Sequence, residues 1–172
     1  RLGRYFRRSV VTYPAADTRA SDVIARYGLQ PLPEEGGYWT AGPRTTGLNG
    51  ILFLLTASAS DGVGGRHDVH DLHETDTAHG PGFSALHRLT INEGWQWLAG
   101  APARMLLLTP QADTVGTVDT AEPILDADHP QVLVPAGTWQ GASTLGAWTL
   151  VACWCSPAFE DRHFTLGRRT EL

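Results

Sequence analysis

From residue 51 onward the chain is a succession of short apolar or alternating runs, at 51–56, 84–91, 94–98, 104–109, 131–134, 147–155 and 164–166, punctuated by Gly, Pro, Asp and Asn. Runs of this length with a period near two predict strands. Their number, with no long helical pattern between them, predicts an all-β sandwich or barrel. Upstream, 18–27 predicts a short helix: Asp17 or Thr18 can cap its start, Val23, Ile24 and Tyr27 make one apolar face, and Gly28 can close it. Residues 29–39 read as a turn-rich crossing that ends in Tyr38 and Trp39. No internal repeat and no second domain are visible.

The expected division is an N-terminal arm over 1–16 and a single domain over 17–172, interrupted by an insertion at 58–82. That insertion is polar, contains Gly, and carries His67, His70, His73 and His79. At about 25 residues it exceeds the length at which unstructured loops become uncommon, so it reads as either functional or mobile, placed where it could form a lid over a barrel mouth. The histidines, three apart at the start, could share a helical face and bind metal. A solvated loop is the plainer reading, because no Cys or well-spaced carboxylate completes a closed site.

Composition narrows the chemistry. A chain of 172 residues with 42% hydrophobic positions can bury a sizeable core. Its formal charge of −5 argues against nucleic acid as a partner, because phosphate binding needs a concentrated positive surface. The basic run at 1–8 reads as an exposed tail. All 13 basic residues are Arg, which excludes Schiff-base chemistry on a lysine amine. No apolar run is long enough to span a bilayer, and no leader segment is visible, so no membrane partner and a cytoplasmic location are expected. Cys153 and Cys155 fit a reducing compartment and read as core.

Several strings together carry a family resemblance. They are Leu29-Gln30-Pro31, Glu35-Gly36-Gly37-Tyr38, Arg44, Phe53-Leu54-Leu55, Ser84-Ala85-Leu86-His87-Arg88, Glu93-Gly94-Trp95 and Ala99-Gly100. The most specific block runs from Pro130 to Ala142 and contains Val134-Pro135-Ala136-Gly137-Thr138-Trp139-Gln140. Leu150-Val151-Ala152-Cys153, Pro157 and Phe159 close the match. From about Ser21 to Leu166 the chain resembles the small single-domain cupins of the DUF985 ("cupin 5") group.

The resemblance implies a double-stranded β-helix, here with a short N-terminal helix, commonly dimeric, whose barrel holds a small polar ligand. It also implies where a metal cage would stand, and two of its four positions depart from the pattern. His87 and Glu93 are spaced as the pattern requires, and Gly100 follows Glu93 after six residues. Leu89 occupies the second His position, and Gln140 ends the string that a cupin ends with His. The His of the usual Pro-His-Pro-Glu-Gly-Gly string is replaced here by Leu32.

These departures point to acid–base chemistry without a cofactor. His87 and Glu93, expected on adjacent strands and facing inward, are the catalytic candidates, since an imidazole oriented by a carboxylate suits proton transfer near neutrality. Gln131 and Gln140 are expected to hydrogen-bond a substrate carbonyl, and Trp95, Trp97 and Trp139 to wall an apolar or polycyclic ligand. Tyr38 joins the substrate-binding set, and Arg44 is a candidate for a ligand carboxylate or phosphate. Arg88 alternates away from His87 and reads as a structural or dimer contact. The leading expectation is an isomerase, epimerase or cyclase of secondary metabolism. One alternative is a metal-dependent dioxygenase or lyase on His87, Glu93 and Gln140. The other is a non-catalytic metabolite-binding protein.

Overall fold

The computed structural model describes residues 12–57, 82–111 and 116–167. His67, His70, His73 and His79, and most of the expected N-terminal arm, lie outside the described residues. One helix, α1 (Ala20–Tyr27), precedes the strands β1 (Gln30–Pro31), β2 (Tyr38–Arg44), β3 (Asn49–Thr56), β4 (Ser84–Leu89), β5 (Asn92–Gly100) and β6 (Ala103–Pro110). The strands β7 (Val118–Ala121), β8 (Ile124–Leu125), β9 (Gln131–Val134), β10 (Trp139–Thr144), β11 (Trp148–Ser156) and β12 (Phe164–Leu166) follow.

The strands form two antiparallel sheets. One has the order β1-β2-β3-β11-β5-β9, and the other β12-β4-β10-β6-β7 with β8 paired to β6. Consecutive strands β4 and β5 therefore belong to opposite sheets, as do β10 and β11. This alternation between layers is the double-stranded β-helix expected from the resemblance. His87 and Glu93 thus sit on consecutive strands that face each other between the layers, not on hydrogen-bonded neighbours.

Apolar side chains from both sheets fill the space between them. Phe53, Leu55, Trp95, Val134, Val151 and Cys153 from the first sheet meet Ala103, Met105, Leu125 and Ala142 from the second. The outer face of the first sheet is covered by α1. Val23 is wholly buried there against Leu54, Ala99, Trp148 and Leu150. The N-cap of the helix is Arg19, which makes no side-chain cap, so neither Asp17 nor Thr18 caps it. The Thr18 carbonyl instead accepts the Trp148 indole N–H at 2.6 Å, pinning the helix start to the sheet. Gly28, at φ 61°, closes the helix in the left-handed region, where glycine is favoured.

Two register shifts decide which side chains reach the interior. On β5, Ala99 pairs with Leu150 but Trp97 pairs with Val151, so Leu98 is an extra residue. The bulge lets Trp95 and Trp97 face the barrel while Leu98 and Ala99 face the helix layer. Between β4 and β10, Gln140 pairs with His87 and Ala142 with Ser84. Two steps along β10 match three along β4, which turns both Ser84 and His87 inward. That second irregularity builds the site.

Candidate active site

Three ionisable side chains converge where β4, β5 and the loop before β2 meet. His87 is 2% exposed and lies between two carboxylates. Its Nδ1 is 3.9 Å from Glu35 Oε1, and its Nε2 is 3.9 Å from Glu93 Oε2. Nδ1 lies 2.8 Å from the Ala85 carbonyl oxygen, close enough to donate to it, and this fixes the ring orientation. Phe164 stacks on the imidazole with ring centroids 5.3 Å apart.

Each carboxylate is held in turn. The Ser84 hydroxyl donates to Glu35 Oε1 at 2.9 Å, and the Glu35 carbonyl accepts the Ala85 N–H. Gln140, fully buried, donates from Nε2 to Glu93 Oε2 at 2.6 Å. Its Oε1 accepts the Trp95 indole N–H at 3.0 Å. The amide therefore has a fixed orientation, with its donor toward the carboxylate and its acceptor capped. Among the described residues, no buried side-chain polar atom lacks a partner.

The electrostatics follow from burial and pairing. Desolvation opposes charge on His87, but Glu93, Glu35 and the Ala85 carbonyl outweigh it and hold its pKa at about 9. The ring is an imidazolium at neutral pH. Burial pushes the Glu35 carboxyl up, aided by Glu93 and opposed by His87 and Ser84. Burial likewise raises both thiols, Cys155 to about 12. Neither cysteine is a nucleophile at neutral pH.

Neither gap beside His87 is a hydrogen bond, since 3.9 Å is too long. Two polar atoms at that separation can still both reach a third atom about 3 Å from each. Nδ1 is already engaged by Ala85, so the gap left open is the one between Nε2 and Glu93.

Of the expected site residues, the fold brings together His87, Glu93 and Gln140, with Trp95 behind them. The others are placed elsewhere. Gln131 is exposed and donates to Gln96 Oε1, because β9 turns Val132 and Val134 inward and Gln131 outward. Trp139 alternates away from Gln140 to the outer face, where the Arg88 guanidinium lies 4.8 Å over its ring. Tyr38 packs in the helix-side layer, while its neighbour Trp39 turns toward the barrel. Trp97 lines the barrel but donates to the Ala101 carbonyl, and Trp95 packs edge-on against Phe53. Arg44 ends β2 at an open cleft on the molecular surface.

Glu35 is the residue that sequence reasoning passed over. It lies in the string Glu35-Gly36-Gly37-Tyr38, to which the family resemblance attaches no role. A carboxylate directly before two glycines was the available signal. Gly37 is crowded by Phe53 and the Leu54 carbonyl, with a φ of 66°, so no side chain fits there. That tight approach turns the preceding chain toward Ser84 and His87.

A family model described as Cupin superfamily (DUF985) matches residues 77–167, more than half of the chain. The chain belongs to the DUF985 cupin family. Among solved structures, this cupin is similar to a hypothetical protein from Leishmania major, at 23% identity and a TM-score of 0.68, with 90% of each chain covered. It is also similar to a protein from Shewanella oneidensis, at 26% identity and a TM-score of 0.64, covering 89% of this chain and 87% of that one. Oxalate decarboxylase from Bacillus subtilis shares the fold at 13% identity and a TM-score of 0.51, over 81% of this chain and 30% of the other. No curated protein matches this cupin.

The donors present do not fit the metal that the cupin fold implies. Among the described residues, no group of three or more His, Cys, Asp or Glu side chains is placed to hold an ion. Leu89, at the second His position, is 4% exposed and packs with Ile91, Cys155, Phe159 and Phe164. The oxygen of Gln140, its only plausible ligand atom, is taken by Trp95.

Proposed function

We propose that this cupin is a cofactor-free acid–base catalyst acting on a small molecule, in the manner of an isomerase, epimerase or cyclase. The observation that carries the reading is the 3.9 Å gap between the His87 imidazolium Nε2 and Glu93 Oε2. A substrate carbonyl oxygen seated beside Nε2 would accept its N–H, and the adjacent C–H would face Glu93. Glu93 takes that proton, and His87 stabilises the enolate oxygen that results. Return of the proton from Glu93 to another carbon on the same face completes an isomerisation with no net redox change. Gln140 holds the carboxylate in line, and Glu35 keeps the imidazole charged so that it donates rather than accepts.

The test is hydrogen–deuterium exchange at carbon. Wild-type protein is incubated in deuterium oxide with a panel of ketoses, 2-oxo acids and cyclic ketones, and exchange is followed by proton NMR. At least one compound is expected to exchange with wild type and to lose that exchange with His87→Ala or Glu93→Gln. Exchange no faster than in the Glu93→Gln protein across the panel, or turnover unchanged in both variants, would reject the acid–base role.

A further inference from the structure

The surface cleft at Arg44 is separate from the His87 site. It encloses about 440 Å³ and is lined by Arg44, Thr46, Glu160, Arg162 and His163, over a floor at Pro157 and Ala158. Phe159 touches His163 on the cleft side, and Phe164 stacks on His87 on the other. Both phenylalanines pack with Leu89, Ile91 and Cys155, so an apolar layer stands between the two places.

The cleft runs against the charge of the whole chain. The protein carries a formal −5, yet two guanidiniums face one carboxylate here. Arg162 donates to Glu160 at 2.9 Å with only part of its fork, and Arg44 is exposed. His163 adds a donor of fixed position. Its Nδ1 accepts the Glu160 backbone N–H at 3.1 Å, so the neutral ring carries its proton on Nε2. Thr45 is not available, because its hydroxyl is used within the turn by Gly47 and Leu48. Thr46 brings a second hydroxyl to the rim.

We infer that this cleft binds a small multiply charged oxyanion, a phosphate or a polycarboxylate, through Arg44, Arg162 and the His163 Nε2–H. Planar guanidiniums lining one concavity match the oxygens of such groups, and charge-assisted hydrogen bonds to them are the strong kind. Glu160 is the internal competitor: it occupies part of the Arg162 fork and repels an entering anion.

Calorimetric titration at low ionic strength tests this, with inorganic phosphate and citrate as the two probes. Wild type is expected to bind at least one of them, and the stronger probe identifies the oxyanion class. Arg44→Gln and Arg162→Gln are each expected to weaken binding roughly tenfold or more. Glu160→Gln is expected to strengthen it. Arg104→Gln, at the Ala142 end of the barrel, removes the same charge far from the cleft and is expected to change nothing. Failure of both probes to bind, or an equal loss in the Arg104 variant, would overturn the assignment. All four positions are exposed, so these substitutions test the cleft and not folding. The outcome is independent of the carbon-exchange assay.

Discussion

Gln140 donates its amide N–H to Glu93 at 2.6 Å, from a strand in the opposite sheet. The position that would supply a cupin's last imidazole thus supplies a carboxylate clamp. Replacing it with an apolar residue strands two buried partners, the Glu93 carboxylate and the Trp95 indole N–H. Gln140→Leu is expected to lower unfolding free energy by about 2–4 kcal/mol, measured by urea denaturation. A loss under about 0.5 kcal/mol would mean that the clamp contributes little.

The pH dependence of stability follows from His87. Its pKa rises from roughly 6.5 in the unfolded chain to about 9 in the fold. The native state therefore binds the proton more tightly. The stabilisation is full below about pH 6.5 and is lost as pH rises through about 9. The Glu35 carboxyl, raised by burial, acts in the same direction, with stability falling as pH rises through its titration. Unfolding free energy is expected to fall between about pH 6.5 and 9, with a slope that His87→Gln removes.

In the proposed mechanism Glu35 acts through the imidazole, so its removal is expected to move a pH profile more than to abolish a rate. In Glu35→Gln the His87 pKa drops toward its ordinary value, because one of the two flanking charges is gone. The alkaline limb of any exchange activity is expected to shift to lower pH by about a unit or more. A purely structural role would lower the rate at every pH without shifting the limb.

Restoring the missing imidazoles tests the argument about the donor set. The L89H/Q140H double variant is expected to bind zinc or manganese roughly 100-fold or more tightly than wild type, measured by competition with a colorimetric chelator. Equal affinity in the two proteins would show that the missing donors are not what keeps metal out.

The two thiols provide a check on packing. Cys153 and Cys155 are both buried, with pKa values raised by burial and then by Glu93 and Glu35. In native protein at about pH 8, both are expected to resist an aromatic disulfide reagent, and both to react once denaturant is added. Rapid labelling of the native protein would contradict the packed interior.

The alternation of apolar and polar residues made β3, β4, β5, β6, β9, β11 and β12 legible to within two residues at each end. It missed β10, whose Gly141, Ala142, Ser143 and Thr144 lack the bulky apolar residues that signal a strand, although its small residues are what fit against β4. It missed β2 as well, where Gly42 and Pro43 interrupt the period; Gly42 lies so close to the Gly50 carbonyl that a side chain would collide. The site was half legible. The cupin-pattern positions His87, Glu93 and Gln140 do converge in the fold, because motif positions encode which face each occupies. Sequence reasoning misplaced Trp139, Tyr38 and Gln131, because facing depends on the register of each strand, and adjacency in sequence puts a neighbour on the opposite side. Glu35 was hidden because its approach to His87 depends on a loop and on the bulge in β4, and neither leaves a periodic trace.

The most direct test is an NMR titration of the His87 ring nitrogens. A carboxylate–imidazolium–carboxylate arrangement predicts that both nitrogens carry protons at about pH 7.5 and that the ring titrates near 9. A ring that is neutral at that pH, titrating below about 7, would contradict the account.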